Sequence, residues 1–496
     1  MLAVVVALIA VVIAVVYWLK GSSFLTRDAN GKESQRSDDV IKAKLPPGLE
    51  STDDKLGNAT EIEAAGSFAA FLQQLHDRFG PIAKFHYGPH LVVSTYKAEH
   101  FKQQLYLYDR DPAFFDSVKP VFGDKGFGWK NGEEARLLRR AIEPYFGAAA
   151  CERYLPALLE AAEQLADNWK ERLSDASQLD QDGYILAKDL FSDMKAVTCE
   201  CVSKLTFGGY FDDAEKRERL VQLQNIMMNE VKVRFNNPTI PMSEECESAC
   251  REMRSMILAA LNARPTEQQR SDTGRLVIDE LRDYCATEEE FISCSIAVFI
   301  GAYENVSLWA SRMFHYIAGG GGADAGVQQR LFEEITRVLP ENEDLTPYHI
   351  SQLHFCKAVM EESLRLAGIG VATQRVNADG FTKIGEYLIP PNTWLLHNLE
   401  TAAYNEEVYP DSKKFIPDRY MCPKPPASIN CPKFGFAGGR LCPGKLLSYY
   451  EVYALMTTLI RQFEFKVDES ALEVGLLYQL LIYPAGDLTV RVRNRK

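Results

Sequence analysis

The chain has 496 residues, of which 46% are apolar, 11% aromatic and 25% charged, a balance that excludes the disordered and fibrous classes. Its net charge of −13 argues against a nucleic-acid binder, because neutralising phosphates takes a basic face. Eleven cysteines without a C-x-x-C pair point to a reducing compartment and mostly buried thiols, not to a disulfide framework or a zinc ribbon.

In chain order, Leu2 to Leu19 comes first, eighteen apolar residues without a charge. As a helix this run is about 27 Å long, close to the hydrocarbon thickness of the endoplasmic reticulum membrane. Tyr17 and Trp18 close it with interfacial rings. No basic stretch precedes it and no small-residue cleavage site follows, so it reads as an uncleaved anchor. Lys20, Arg27, Lys32, Arg36, Lys42 and Lys44 come next, and the positive-inside rule then puts the remaining chain in the cytosol. The expected organisation is a transmembrane anchor at 1–19, a polar linker with a proline hinge (Leu45-Pro46-Pro47-Gly48) at 20–50, and one large body at 51–496.

That body reads as mainly α with a small β region. Phe68–Phe79 is helical in pattern, and Ile82–Tyr87 with Leu91–Ser94 forms a hairpin around Gly88-Pro89. Helical periodicity continues over Glu133–Phe146, Tyr154–Leu173, Ala187–Thr206, Lys216–Phe235 and Cys246–Ala263. Thr287 and Glu290 read as a capping box opening a long apolar helix that runs to Ala318, and Gly319–Gly322 reads as a flexible loop. Helices over Ala325–Val338, Pro347–Leu366 and Gly444–Gln462 follow, with strands at Trp394–Leu396 and Leu488–Val492.

The chemistry concentrates in Phe434-Gly435-Phe436-Ala437-Gly438-Gly439-Arg440-Leu441-Cys442-Pro443-Gly444, a glycine-rich loop that ends on one cysteine and enters a helix. The helix dipole and free amides there are expected to lower the thiol pKa, and a thiolate suits a soft or borderline metal. Glycines such as Gly438 let a flat ligand approach the backbone, and Arg440 can reach its carboxylate. Neither a Walker lysine nor G-x-G-x-x-G is present, which leaves a phosphate reading weak.

Four separated motifs together resemble a cytochrome P450: Glu362-Ser363-Leu364-Arg365 its E-x-x-R helix, Phe415-Ile416-Pro417-Asp418-Arg419-Tyr420 its F-x-P-x-R-F segment, the Cys442 loop its haem signature, and Leu45–Gly48 its hinge. Gly66-Ser67-Phe68, Leu75-His76-Asp77-Arg78-Phe79-Gly80-Pro81 and the G-F-x-G-x-x-x-C-P loop are most similar to the animal orphan branch, family 20. The resemblance implies haem b with Cys442 as axial thiolate, and a buried structural triad of Glu362, Arg365 and Arg419. It also implies propionate contacts from Arg440, Arg375 and one of Arg136, Arg139 and Arg140 (Arg139 above all), with Phe436 packed against the ring.

The sequence departs from the family pattern at three places. Gly435 stands where an aromatic usually lies seven residues before the cysteine, and Ala135 where a tryptophan usually contacts a propionate, with Trp129 near enough to substitute. The oxygen-activating A-G-x-[DE]-T-T becomes Gly301-Ala302-Tyr303-Glu304-Asn305-Val306. Glu304 keeps the acid, but Asn305 replaces the proton-relaying alcohol, so these two are the candidate catalytic residues.

The expected function is a membrane-anchored haem-thiolate monooxygenase inserting one oxygen atom from O2 into a lipophilic small molecule. Electrons would come from NADPH through cytochrome P450 reductase, with cytochrome b5 as a further donor, at the endoplasmic reticulum. An electron-independent isomerase or peroxide-processing enzyme, and a haem-binding sensor, are the alternatives. Lys119, Lys125, Lys130, Arg136, Arg139, Arg140, Lys433 and Lys445 are expected to converge as a basic dock for the reductase.

Overall fold

At the centre runs the helix Glu288–Ile317, thirty residues buried on nearly every side, as a helix apolar all round must be. The computed structural model describes residues 44–51, 53–236, 240–264, 274–324, 326–341, 343–378, 380–435, 438–479 and 481–495. The anchor expected at 1–19, most of the linker, and Phe436 lie outside them. The core helix is long and apolar enough to cross a membrane, but its faces are taken by protein. Leu190–Phe207 packs along one flank and His354–Ala367 along another, while Lys445–Gln462 lies against Ala148–Ser174.

The helix starts as Thr287 accepts the Glu290 N–H at 3.2 Å. The other half of the expected capping box is not made, because the Glu290 carboxylate turns to the Ala286 N–H at 2.9 Å and to Lys130. At its far end Gly319–Gly322 is a tight turn where a flexible loop is expected. The Gly321 N–H donates to the Leu472 carbonyl (2.8 Å), and a Cβ on Gly320 would overlap the His315 ring.

A four-stranded sheet stands beside this helical mass. The hairpin Ile82–Tyr87/His90–Thr95 is antiparallel in the register Ile82↔Thr95 to Tyr87↔His90. His90–Thr95 then pairs in parallel with Trp394–Asn398, which pairs antiparallel with Ala372–Val376. The proline hinge belongs to the folded body. The Lys84 N–H donates to the Pro47 carbonyl (3.0 Å), and a Cβ on Gly48 would fall on the Lys84 backbone.

A three-stranded sheet joins Ile185–Ala187, Val490–Asn494 and Phe463–Val467. It explains one shifted boundary, and a second shift is separate from it. Ile185–Ala187 is drawn into pairing with Val490–Val492, so the helix expected from Ala187 begins at Leu190, capped by the Asp189 side chain. The helix expected over Pro347–Leu366 is two, broken at Leu353, where ψ is 70°. Asn58, the first residue of a glycosylation sequon, is fully buried. It donates to the Glu50 carbonyl (2.9 Å) and accepts the His86 N–H (2.8 Å), so the folded protein offers it to no transferase.

Candidate functional site

Cys442 sits on the loop before the helix Lys445–Gln462, half-buried, with its N–H donating to the Phe434 carbonyl at 2.9 Å. Burial pushes its thiol up, although the Gly444 amide, Arg139 and Lys445 pull the other way. The expected lowering by the helix terminus is thus outweighed, because the helix begins three residues later and desolvation penalises the thiolate more. Gly438, at φ +85°, is held by its surroundings: a Cβ there would lie 2.6 Å from the Leu105 carbonyl.

Around this loop the fold gathers guanidinium groups. Arg440 is buried and donates to the Tyr108 carbonyl (3.0 Å), the Asn131 side chain (3.1 Å) and the Lys130 carbonyl. Arg375, on the sheet strand Ala372–Val376, donates to the Gln374 carbonyl (2.8 Å) and to the Gly435 carbonyl (3.0 Å) of the cysteine loop. Arg139 pairs with Glu143 at 2.8 Å and is near enough to Cys442 to act on its thiol. The Tyr108 ring lies between Arg440 and Arg136, 4.1 and 4.3 Å from the two cations. Arg140 is turned outward to Glu133, so it leaves this group. Trp129 gives its N–H to the Asp124 carbonyl (2.6 Å), which removes it as a substitute donor.

Sequence reasoning missed Arg110. It lies in a loop with no periodicity to mark it, yet it joins Arg139, Arg375 and Arg440. Burial and then these like charges push Arg110 well below its ordinary value, and Arg375 is pushed down to about 9 by burial, Arg440 and Arg139. Among the described residues, no carboxylate lies within ion-pair distance of Arg110 or Arg440. The Nε of Arg110, the Nε of Arg136 and the Tyr108 hydroxyl are buried with no hydrogen-bond partner among the described residues. Buried cations and orphaned donors are costly unless an anion meets them. Beside the Cys442 thiol, they fit the two carboxylates of a haem.

Opposite in sequence and role is the core helix. Ala297, Gly301, Ala302 and Asn305 stay accessible where most of their neighbours are buried. Their spacing puts them on one stripe, and a Cβ on Gly301 would meet nothing within 4 Å. On that stripe the Asn305 amide donates to the Gly301 carbonyl at 2.8 Å, and its Oδ1 is buried without a hydrogen-bond partner among the described residues. Glu304 lies off the stripe. Fully buried, it faces Lys195 of the neighbouring helix at 3.3 Å, and Lys195 in turn donates to Asn225 (2.7 Å).

Glu362, Arg365 and Arg419 come together, all but sealed from solvent. Arg365 Nε and Nη2 donate to the two Glu362 oxygens at 2.8 and 2.7 Å, and Arg419 Nε to one of them at 3.2 Å. The Ile416 N–H adds a fourth donor at 3.0 Å. Arg365 also donates to the Ala403, Ser412 and Lys414 carbonyls, tying down the segment that leads to the cysteine loop.

The expected basic dock is largely neutralised. Lys119 pairs with Asp116, Lys125 with Glu289, and Lys130 with Glu134 and Glu290. Arg139 and Arg140 have the partners given above, and the Lys433 side chain is only 3% exposed. Acidic neighbours at helical spacing, and burial, remove the charge that the sequence alone presents as free.

A thiol on a glycine-rich loop and a buried arginine group beside it have the chemistry that would suit a flat, doubly anionic ligand. The cytochrome P450 family model matches residues 47–476. Cytochrome P450 20A1 of Mus musculus is 24% identical over 90% of this chain and 93% of its own length, and that of Rattus norvegicus 25% identical over 90% and 93%. The mitochondrial 1,25-dihydroxyvitamin D(3) 24-hydroxylase of Rattus norvegicus is 28% identical over 34% of this chain and 32% of its own. The chain belongs to the cytochrome P450 family of monooxygenases.

Proposed function

We propose that this protein is a membrane-anchored haem-thiolate monooxygenase of the endoplasmic reticulum, taking NADPH electrons through a reductase, with cytochrome b5 as a second donor, and oxidising a lipophilic small molecule. The observation that carries it is the buried arginine group beside Cys442, which is costly as it stands and suited to haem propionates. Cys442 would hold the haem iron through its sulfur; Arg440, Arg375, Arg139 and Arg110 would hold the propionates. Bound there, haem supplies the reductive splitting of dioxygen that places one oxygen atom in substrate and one in water.

The chain's own residues do the rest. Ala297, Gly301 and Ala302 leave room beside the core helix for oxygen and an apolar substrate. Asn305 orients a water through its free Oδ1 but passes no proton on. Glu304 is clamped by Lys195, so it reaches that water only when the ion pair opens. This restraint on proton delivery favours one second reading, an electron-independent isomerase or peroxide-processing enzyme, since such chemistry needs no outside protons.

The purified reduced protein should give the red-shifted carbon monoxide band of a thiolate-ligated haem, and Cys442→Ser should lose it. A Cys442→Ser protein that binds haem and keeps the band would falsify the ligand assignment. Loss of substrate that requires reductase and NADPH separates the monooxygenase from the second reading, in which turnover proceeds without either.

A further inference from the structure

On the cysteine-loop side of the fold, a cleft of about 590 Å³ opens between the helix His354–Ala367, the segment 409–433 and the start of the helix Lys445–Gln462. The accessible stripe of the core helix contributes no residue to it. Its volume lies in the range of about 300–1,000 Å³ that small-molecule sites occupy.

The lining has an uneven chemistry. The Lys433 side chain is 3% exposed, and its Nζ has no hydrogen-bond partner among the described residues. Glu400 Oε2 stands off at 3.7 Å and also lacks a hydrogen bond, its other oxygen being held by the Tyr478 hydroxyl. Lys357 and Lys445 add two more cations to the lining. The acid of the lining, Glu361, is already engaged by the Tyr449 hydroxyl at 2.8 Å. Tyr409, Tyr420, Phe434 and Ile429 supply apolar walls. In a chain of net charge −13, this is a locally cationic, aromatic-walled recess holding an ammonium whose one ion pair, to Glu400, is too long for a hydrogen bond.

We propose that this cleft binds an amphipathic organic carboxylate, its acid group on Lys433 and its apolar body along Tyr409, Tyr420 and Phe434. A buried ammonium short of acceptors gains most from an anion that excludes water, and the walls exclude a ligand without an apolar body. This is a second ligand site, separate from the one beside the core helix.

The haem-loaded full chain in phosphatidylcholine nanodiscs tests it, with a diazirine-bearing dodecanoate, its methyl ester, and mass-spectrometric mapping of the photolabel. The carboxylate should label peptides within 354–361 and 421–434, be displaced by dodecanoate, and exceed the ester clearly. Lys433→Met should cut that labelling by at least about tenfold, the loss of one charge-assisted hydrogen bond, while labelling around Gly301 and the haem spectrum stay unchanged. Should Lys433→Met fail to hold haem, Lys357→Glu on the exposed rim decides in the same direction with a smaller loss. Equal labelling by the ester, labelling confined to the core-helix stripe, or undiminished labelling in both variants overturns the site. So does finding that the carboxylate never binds while Lys433→Met slows reduction by the reductase, which would make the cleft a protein seat.

Discussion

Glu362→Gln removes one negative charge at nearly constant volume, and the consequence follows from the four donors that converge on it. Oε2 accepts Arg365 Nε at 2.8 Å, and Oε1 accepts Arg365 Nη2, Arg419 Nε and the Ile416 N–H at 2.7, 3.2 and 3.0 Å. Whichever way the amide turns, its NH2 meets at least one donor, and two guanidinium groups of 1% and 9% exposure lose their counter-charge. Removing one partner of a buried pair costs about 3–5 kcal/mol. Unfolding entropy near 2.1 cal/mol/K per residue, over roughly 450 residues, makes this a drop of about 3–5 °C in melting temperature. Differential scanning calorimetry at fixed haem saturation measures it. Glu361→Gln is the control, since among the described residues the Glu361 carboxylate takes one side-chain hydrogen bond, from Tyr449, and it should shift the melt by less than about 1 °C. Equal melts for wild type and Glu362→Gln would refute the reasoning, because the buried charges would then need no counter-ion.

His76 is buried, with Nδ1 2.7 Å from the Gly80 carbonyl and Nε2 2.9 Å from Ser94 Oγ, and burial lowers its pKa to about 4. The unfolded chain protonates it first, so its contribution is present above pH 6.5 and lost as the pH falls toward 4. Urea midpoints should show His76→Gln losing about 2 kcal/mol less than wild type between pH 7 and pH 5, and identical losses would refute the assignment. Lys195→Met strands the Glu304 carboxylate and should lower stability by about 3–5 kcal/mol; a melt within 1 °C of wild type would show that the ion pair contributes nothing. Asn305→Thr places a hydroxyl that both donates and accepts on the accessible stripe, and the fraction of NADPH electrons released as hydrogen peroxide should fall. An unchanged peroxide yield would leave Asn305 only holding the Gly301 carbonyl.

Local spacing made much of this molecule legible. Glu362 and Arg365 are three residues apart, neighbours on any helix, and Phe68–Phe79 stops where Gly80-Pro81 must stop it. The thirty-residue helix from Glu288 belongs in a core because, beyond its acidic first turn, it is mostly apolar and has no continuous polar face to turn to water. What the sequence could not decide is where long-range packing sends each side chain. Lys433 reads as a surface charge, but the fold leaves its side chain only 3% exposed. Glu304 reads as a relay, but Lys195, 109 positions earlier, claims its carboxylate. Arg110 carries no motif, and it matters only because three other arginines, from two helix-bearing segments and one strand, arrive beside it. Periodicity constrains neighbours within about one turn or one strand pair; burial and charge partnership belong to contacts between distant segments, and only the folded chain specifies those.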